Sequence, residues 1–146
     1  MTAHFLRLTA LALALVGTAI SAYLTWVHYS GQLALCLGAG GCETVQASQY
    51  AELGGFPVAT IGLAAFVAVT ALTVLRLRAD PAVWTLTGLF GLTLAGTLFA
   101  MYLTSLELFV IGAICPWCVA VDSAMVALFV IALIELRRAS ERDLGS

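Results

Sequence analysis

The sequence predicts an all-α integral membrane protein: a four-transmembrane-helix bundle forming a single domain over residues 1–146, with an extracytoplasmic cysteine-bearing loop and a short cap helix between helices one and two. Three observations predict it. Of the 146 residues, 62% are hydrophobic and 10% charged, whereas soluble domains carry about a quarter charged residues. The apolar residues gather into four runs, each near the roughly 20 helical residues needed to cross a hydrocarbon core of about 30 Å. The six basic residues are all arginines, and they fall only at alternate ends of those runs.

The first run covers roughly 5–28. His4 and Arg7 precede its apolar stretch from Leu8 to Val27 as basic residues precede a secretory leader, but that stretch is too long for a leader's apolar region. Tyr23, Trp26 and Tyr29 close it with aromatic side chains suited to the membrane interface rather than with a cleavage site. The segment that follows is rich in glycine (Gly38, Gly40, Gly41, Gly54, Gly55) and short polar side chains, so it cannot cross; a short interfacial helix is expected within 44–53. The second run, 57–75, and the third, 82–103, flank a connection carrying Arg76, Arg78, Asp80 and Pro81. There Pro81 stops one helix and suits the first turn of the next. The third connection, 104–108, contains Glu107, which reads as a solvated loop charge, as do Glu43 and Glu52. The fourth run, 109–136, ends in Arg137, Arg138 and Arg142.

Positively charged loops stay on the cytoplasmic side. Arg7, Arg76, Arg78, Arg137, Arg138 and Arg142 then put both termini and the middle connection in the cytoplasm and all four cysteines at or beyond the outer face of the cell inner membrane. Gly17, Thr18 and Ser21 in the first span, and Gly88, Gly91, Thr93, Gly96 and Thr97 in the third, are small enough to let helix backbones approach. No span carries the stripe of ionisable groups that marks an ion path. No basic patch points to nucleic acid.

The chemistry rests on the cysteines. Cys115-Pro116-Trp117-Cys118 is a C-x-x-C at the outer start of the last span, a spacing that brings two sulfurs within bridging range. Backbone N–H groups and the positive end of the helix dipole stabilise a thiolate there, and Pro116 sits where its missing N–H costs nothing. Cys36 and Cys42 lie in the glycine-rich loop, which reads as a movable arm: Cys42 within reach of Cys115, and Cys36 toward water and an incoming protein thiol. A purely structural disulfide between Cys36 and Cys42 is the alternative in an oxidising compartment. No metal is expected: a four-thiolate zinc site would have five residues inside its first pair rather than the usual two to four. A dithiol beside Phe109, Ile111, Trp117 and Val119 suits a hydrophobic acceptor dissolved in the bilayer, and a quinone fits. Quinone reduction consumes protons, and Asp122, one turn after Cys118, is the candidate proton donor or hydrogen-bonding group.

These residues resemble the vitamin K epoxide reductase family, in particular its small bacterial members. The likeness covers nearly the whole chain: Cys36, Cys42 and Ser48 at successive six-residue steps, Gly55-Phe56-Pro57-Val58 opening the second span, and Tyr102-Leu103, Phe109-Val110 and Cys115-Pro116-Trp117-Cys118. The loop pair precedes the C-x-x-C, the reverse of the order in DsbB-type proteins. The resemblance implies a four-helix bundle around a quinone of menaquinone, ubiquinone or vitamin K type, capped by the loop. It implies that Cys36 exchanges with a separate, DsbA-like thioredoxin-fold partner, that Cys42 carries electrons to Cys115, and that Cys118 reduces the quinone. Ser48, Phe56, Trp117 and Asp122 are the candidate quinone-contacting residues, with a plain helix-capping role for Ser48 as the alternative. Asp122 stands where the animal enzymes carry tyrosine, and the second span lacks their initial asparagine. Two other functions compete with disulfide formation: dithiol-driven reduction of a quinone or of vitamin K epoxide for quinone recycling, and a non-enzymatic membrane scaffold with structural disulfides.

Overall fold

A computed structural model describes residues 2–36, 40–78 and 82–146; Gly38, Asp80 and Pro81 lie outside them. Four long helices account for most of the chain: α1 (Ala3–Ser30), α3 (Val58–Arg78), α4 (Val83–Leu106) and α5 (Pro116–Leu144). Each is long and apolar enough to cross a membrane. In lipid, every backbone N–H and C=O needs a partner within the protein, which a continuous helix supplies. The short α2 (Cys42–Gln46), a single 3-10 turn (Gln49–Ala51) and a two-residue hairpin, β1 (Glu52–Leu53) with β2 (Phe56–Pro57), form the segment between α1 and α3.

The long helices pack in a ring, α1 against α3 and α5, and α4 against α3 and α5. Contacts between the start of one helix and the end of its neighbour make all adjacent pairs antiparallel. At one end, Arg7 of α1 meets Arg76 of α3 and Glu135 of α5; at the other, Thr104 of α4 meets Asp122 of α5. The core is apolar, with Leu6, Ala10 and Ala14 of α1, Phe66 and Val69 of α3, Leu89 of α4, and Ala124, Met125 and Leu128 of α5. Two of the glycines singled out from the sequence are needed for this packing. A Cβ on Gly17 would overlap the Phe66 ring, and one on Gly96 would press on the Met125 side chain. Gly88 and Gly91 meet no such crowding.

The boundaries differ from the sequence expectation at one place that matters. The expected outer connection at 104–108 is helical: α4 runs to Leu106 and continues into a π turn, Glu107–Ile111, and α5 begins only at Pro116. Hydropathy cannot separate these two runs where expected, because Leu106, Leu108, Phe109, Val110 and Ile111 are as apolar as the helix before them. The break comes at Gly112, whose φ of 69° is the left-handed conformation that closes a helix. Glu107 continues the inward face of α4 marked by Leu86, Leu89, Thr93, Thr97 and Ala100, and it is buried at 4% exposure rather than solvated.

At the opposite end a buried ion cluster replaces the expected loop charge. Arg76 donates to Glu135 at 2.7 Å, Arg7 Nε lies 3.4 Å from Glu135, and Arg7 also donates to the Arg76 carbonyl at 3.2 Å.

Candidate functional site

The four cysteines converge at one end of the bundle. Cys36 and Cys42 are joined as a disulfide, while Cys115 and Cys118 are free thiols. Cys42 and Cys115 are both fully buried and share one small apolar cluster with Val27 and Ala34, against which Tyr23, Cys36, Val45, Trp117 and Cys118 pack.

Three local features bring the pairs together. First, Gly41 lies so close to the backbone of Ile114 that a Cβ there would overlap the Ile114 carbonyl oxygen. Only glycine allows that approach, and it seats Cys42 beside the residue that follows Ile114, which is Cys115. Second, Leu35 is held at both backbone groups. Its N–H donates to the Tyr23 hydroxyl at 3.0 Å, and its carbonyl accepts from Trp117 Nε1 at 2.8 Å, with the two rings 5.7 Å apart. The chain is thus anchored at Leu35, just before Cys36, and at Gly41, just before Cys42. Third, Cys115 caps α5. Its Sγ accepts from the Cys118 N–H at 3.3 Å, with Pro116 at the first helical position.

Within the C-x-x-C, the Cys118 thiol donates to Cys115 Sγ at 2.7 Å. That bond is the largest influence on Cys115 and holds its thiol below the ordinary value, against the opposing effect of burial and of the nearby Glu107 charge. The Cys115 N–H donates to Glu107 Oε2 at 3.1 Å, so the buried carboxyl group fastens the start of α5 to the π turn.

A cavity of about 310 Å³ opens beneath this cluster. Its walls are mostly apolar, including Leu24, Phe66, Phe99, Leu103 and Met125, and Cys118, Glu107, Asp122 and Ser48 bring polar groups to it. Asp122 is fixed by the Thr104 hydroxyl, which donates to it at 2.7 Å. Size and lining suit the head of a flat apolar molecule with polar edges, for pockets that enclose small ligands start near 300 Å³ and carry few polar groups. A quinone has that shape and polarity.

The sequence candidates divide. Cys118, Asp122 and Ser48 line the cavity, and Cys42 and Cys115 adjoin it through the sulfur cluster. Phe56, in β2, is 66% exposed and is not on the cavity wall; Trp117 is not on it either, and faces the loop through Leu35 and Tyr23. Ser48 precedes the 3-10 turn without capping it, and its hydroxyl instead donates back to the Val45 carbonyl at 2.7 Å. Of the residues read as lining the dithiol, Ile111 is on the cavity wall, while Phe109 is 84% exposed. His28, at the end of α1, lies 3.2 Å from Glu52 of the hairpin.

Sequence reasoning passed over Glu107. The signal was present: an ionisable side chain between Leu106 and Leu108, in a stretch with helical continuity, is a functional candidate by default. Compared with known families, the sequence matches the vitamin K epoxide reductase family over residues 8–133.

Proposed function

This chain belongs to the vitamin K epoxide reductase family and is a membrane oxidoreductase, and we propose that it moves two electrons from an external dithiol protein to a quinone, sustaining disulfide formation outside the cytoplasm. The observation that carries the reading is the gathering of all four cysteines between the loop and the cavity. Cys36 is half-buried at the outer end, Cys42 and Cys115 adjoin in the middle, and Cys118 is on the cavity wall.

The steps follow from thiol–disulfide exchange, in which a thiolate attacks one sulfur of a disulfide and displaces the other. A reduced thioredoxin-fold partner attacks Cys36 and releases Cys42 as thiolate; the partner's second thiol then attacks the mixed disulfide, forming the partner's own disulfide and displacing Cys36. The freed Cys42 attacks Cys115 of an inner disulfide and displaces Cys118. Cys36 next closes on Cys42, which restores the outer disulfide and leaves Cys115 and Cys118 as a dithiol. The arrangement described above, with the outer pair bridged and the inner pair free, corresponds to that stage. A quinone bound in the cavity takes up two electrons and two protons. The chain's part is to present Cys118 at the wall, hold Cys115 beside it, and keep water out with apolar walls.

The geometry gives no separate support to epoxide reduction. A scaffold role with structural disulfides explains the outer bridge but not an unbridged dithiol whose second sulfur is on the wall of an apolar cavity. The arginine-rich end of the bundle is assigned to the cytoplasm and the cysteine end to the outside of the inner membrane.

The relay is tested by isolating its middle step. In the double variant Cys36→Ala, Cys118→Ala, only Cys42 and Cys115 remain. A mild thiol oxidant is expected to join them within the folded protein, detected as a linked peptide pair by mass spectrometry. If both stay alkylatable after oxidant treatment, the relay is broken and the reading fails.

A further inference from the structure

We propose that Glu107 is the proton acceptor for Cys118, taking the thiol proton as the inner pair closes and returning it toward the electron acceptor in the cavity. This rests on the reading above and adds a residue to it.

The argument begins with one hydrogen and two acceptors. The Cys118 thiol donates to Cys115 Sγ at 2.7 Å, and the Glu107 carboxyl group is on the same cavity wall as Cys118 and accepts from the Cys115 N–H, which puts a second acceptor beside the dithiol. A thiol has one hydrogen, so Cys118 can satisfy only one of them at a time. Directed at Cys115, the hydrogen steadies a Cys115 thiolate. Directed at Glu107, it passes to the carboxylate.

The position of Glu107 is fixed for that task. Its Oε2 accepts from the Cys115 N–H, so the carboxyl group is tied to the C-x-x-C backbone and moves with it. It is 4% exposed and on the wall of the same cavity as Cys118 and Asp122. Water therefore has little access, and the proton needs a protein group to receive it. The other ionisable side chains on that wall are Asp122 and Tyr50. Asp122 already accepts from Thr104, and it sits one helical turn beyond Cys118 on α5. Glu107, by contrast, is fastened directly to the C-x-x-C backbone. A burial that would otherwise penalise a carboxyl group is thus explained by what the group does.

The balance is that of dithiol oxidation. The Cys115–Cys118 S–S bond forms, the S–H bond of Cys118 breaks, and two electrons pass to the quinone, whose two carbonyl oxygens become hydroxyls. Glu107 takes the Cys118 proton and gives it up again, ending as it began. The second proton leaves Cys115 as its thiolate forms and passes by way of Asp122, the other carboxyl group on the wall, to the second quinone oxygen, so two S–H bonds break and two O–H bonds form.

The test separates chemistry from packing. Glu107→Gln keeps an oxygen to accept the Cys115 N–H but cannot take a proton, and Glu107→Asp keeps the carboxyl group. Two readouts apply: single-turnover oxidation of the reduced inner pair by a soluble quinone analogue, and, in quinone-free detergent-solubilised protein carrying Cys115→Ala, the pH profile of Cys118 alkylation by N-ethylmaleimide. Loss of a positioned acid–base group costs about a hundredfold. Glu107→Gln is expected to slow the single turnover by about that factor and to change the alkylation profile, with Glu107→Asp recovering part of both. The proposal is overturned if Glu107→Gln matches the wild type in both readouts. It is equally overturned if the Gln and Asp variants lose turnover alike with the alkylation profile unchanged, which is the mark of packing alone. Failure of the quinone reading itself looks different: the wild-type inner pair then ignores quinone, while the alkylation arm still reports on Glu107.

Discussion

At the scale of single residues, the site is set by side chains that are absent as much as by those present. Gly41 has no Cβ, and the Ile114 carbonyl occupies the space where one would be. Gly41→Ala therefore pushes the loop off the start of α5 and carries Cys42 away from Cys115. Misplacing a reacting atom by about 1 Å costs on the order of a hundredfold in rate. We expect Gly41→Ala to slow reduction of the inner pair by an external dithiol by about that factor while leaving the Cys36–Cys42 disulfide able to form, measured by quenched thiol trapping. Equal rates would mean that the close approach at Gly41 does not matter to the relay. The cysteine pairs and Asp122 were legible in the sequence because their spacing carries chemical meaning. The roles of Gly41, Trp117 and Glu107 were not, because each depends on what a distant segment places against it: Ile114 against Gly41, Leu35 against Trp117, and the Cys115 N–H against Glu107.

At the scale of elements, apolar run length located all four spans but not their ends. Hydropathy is blind to the difference between a lipid-facing helix and a π turn of the same composition, so the third connection was expected some eight residues too early, at 104–108 rather than after Ile111. What marks the true end is a backbone requirement, the left-handed conformation at Gly112. The loop between α1 and α3 shows the same limit. Its glycines predicted an arm, yet the Tyr23 and Trp117 hydrogen bonds and the Gly41 contact anchor it at Leu35 and Gly41. Helix pairing depends on small residues where large ones cross. The Phe66 ring is fully buried, lies over Gly17, and forms part of the cavity wall. Gly17→Val should destabilise the bundle by about 1–3 kcal/mol through overpacking, read as a lower unfolding midpoint in detergent, and should also narrow the cavity. An unchanged midpoint would show that α1 and α3 do not depend on that crossing.

At the scale of the whole molecule, the bundle has two unlike ends. One holds four sulfurs over an apolar cavity with two carboxyl groups on its wall. The other is closed by Arg76 and Glu135, buried and paired, with the partly buried Arg7 beside them. Removing one partner from such a pair leaves an uncompensated buried charge, so this end acts as a clasp that holds α1, α3 and α5 while the other end works. The arginine pattern in the sequence marked the end of the bundle opposite the cysteines, but not that Arg76 would be inside the bundle rather than in a loop. The fold was therefore legible from where charge is missing. The proton path was not, since it lies in one carboxyl group whose neighbours come from another element.

The central claim is that electrons leave the protein from the inner cysteine pair into a quinone. The direct measurement starts from fully reduced protein in liposomes without an external dithiol, adds a quinone analogue under anaerobic conditions, quenches with an alkylating agent, and reads each cysteine by mass spectrometry. The account predicts that Cys115 and Cys118 become a disulfide with one quinone reduced per pair, and that in Cys118→Ala none is reduced. An inner pair that remains a dithiol in the presence of excess quinone would contradict it.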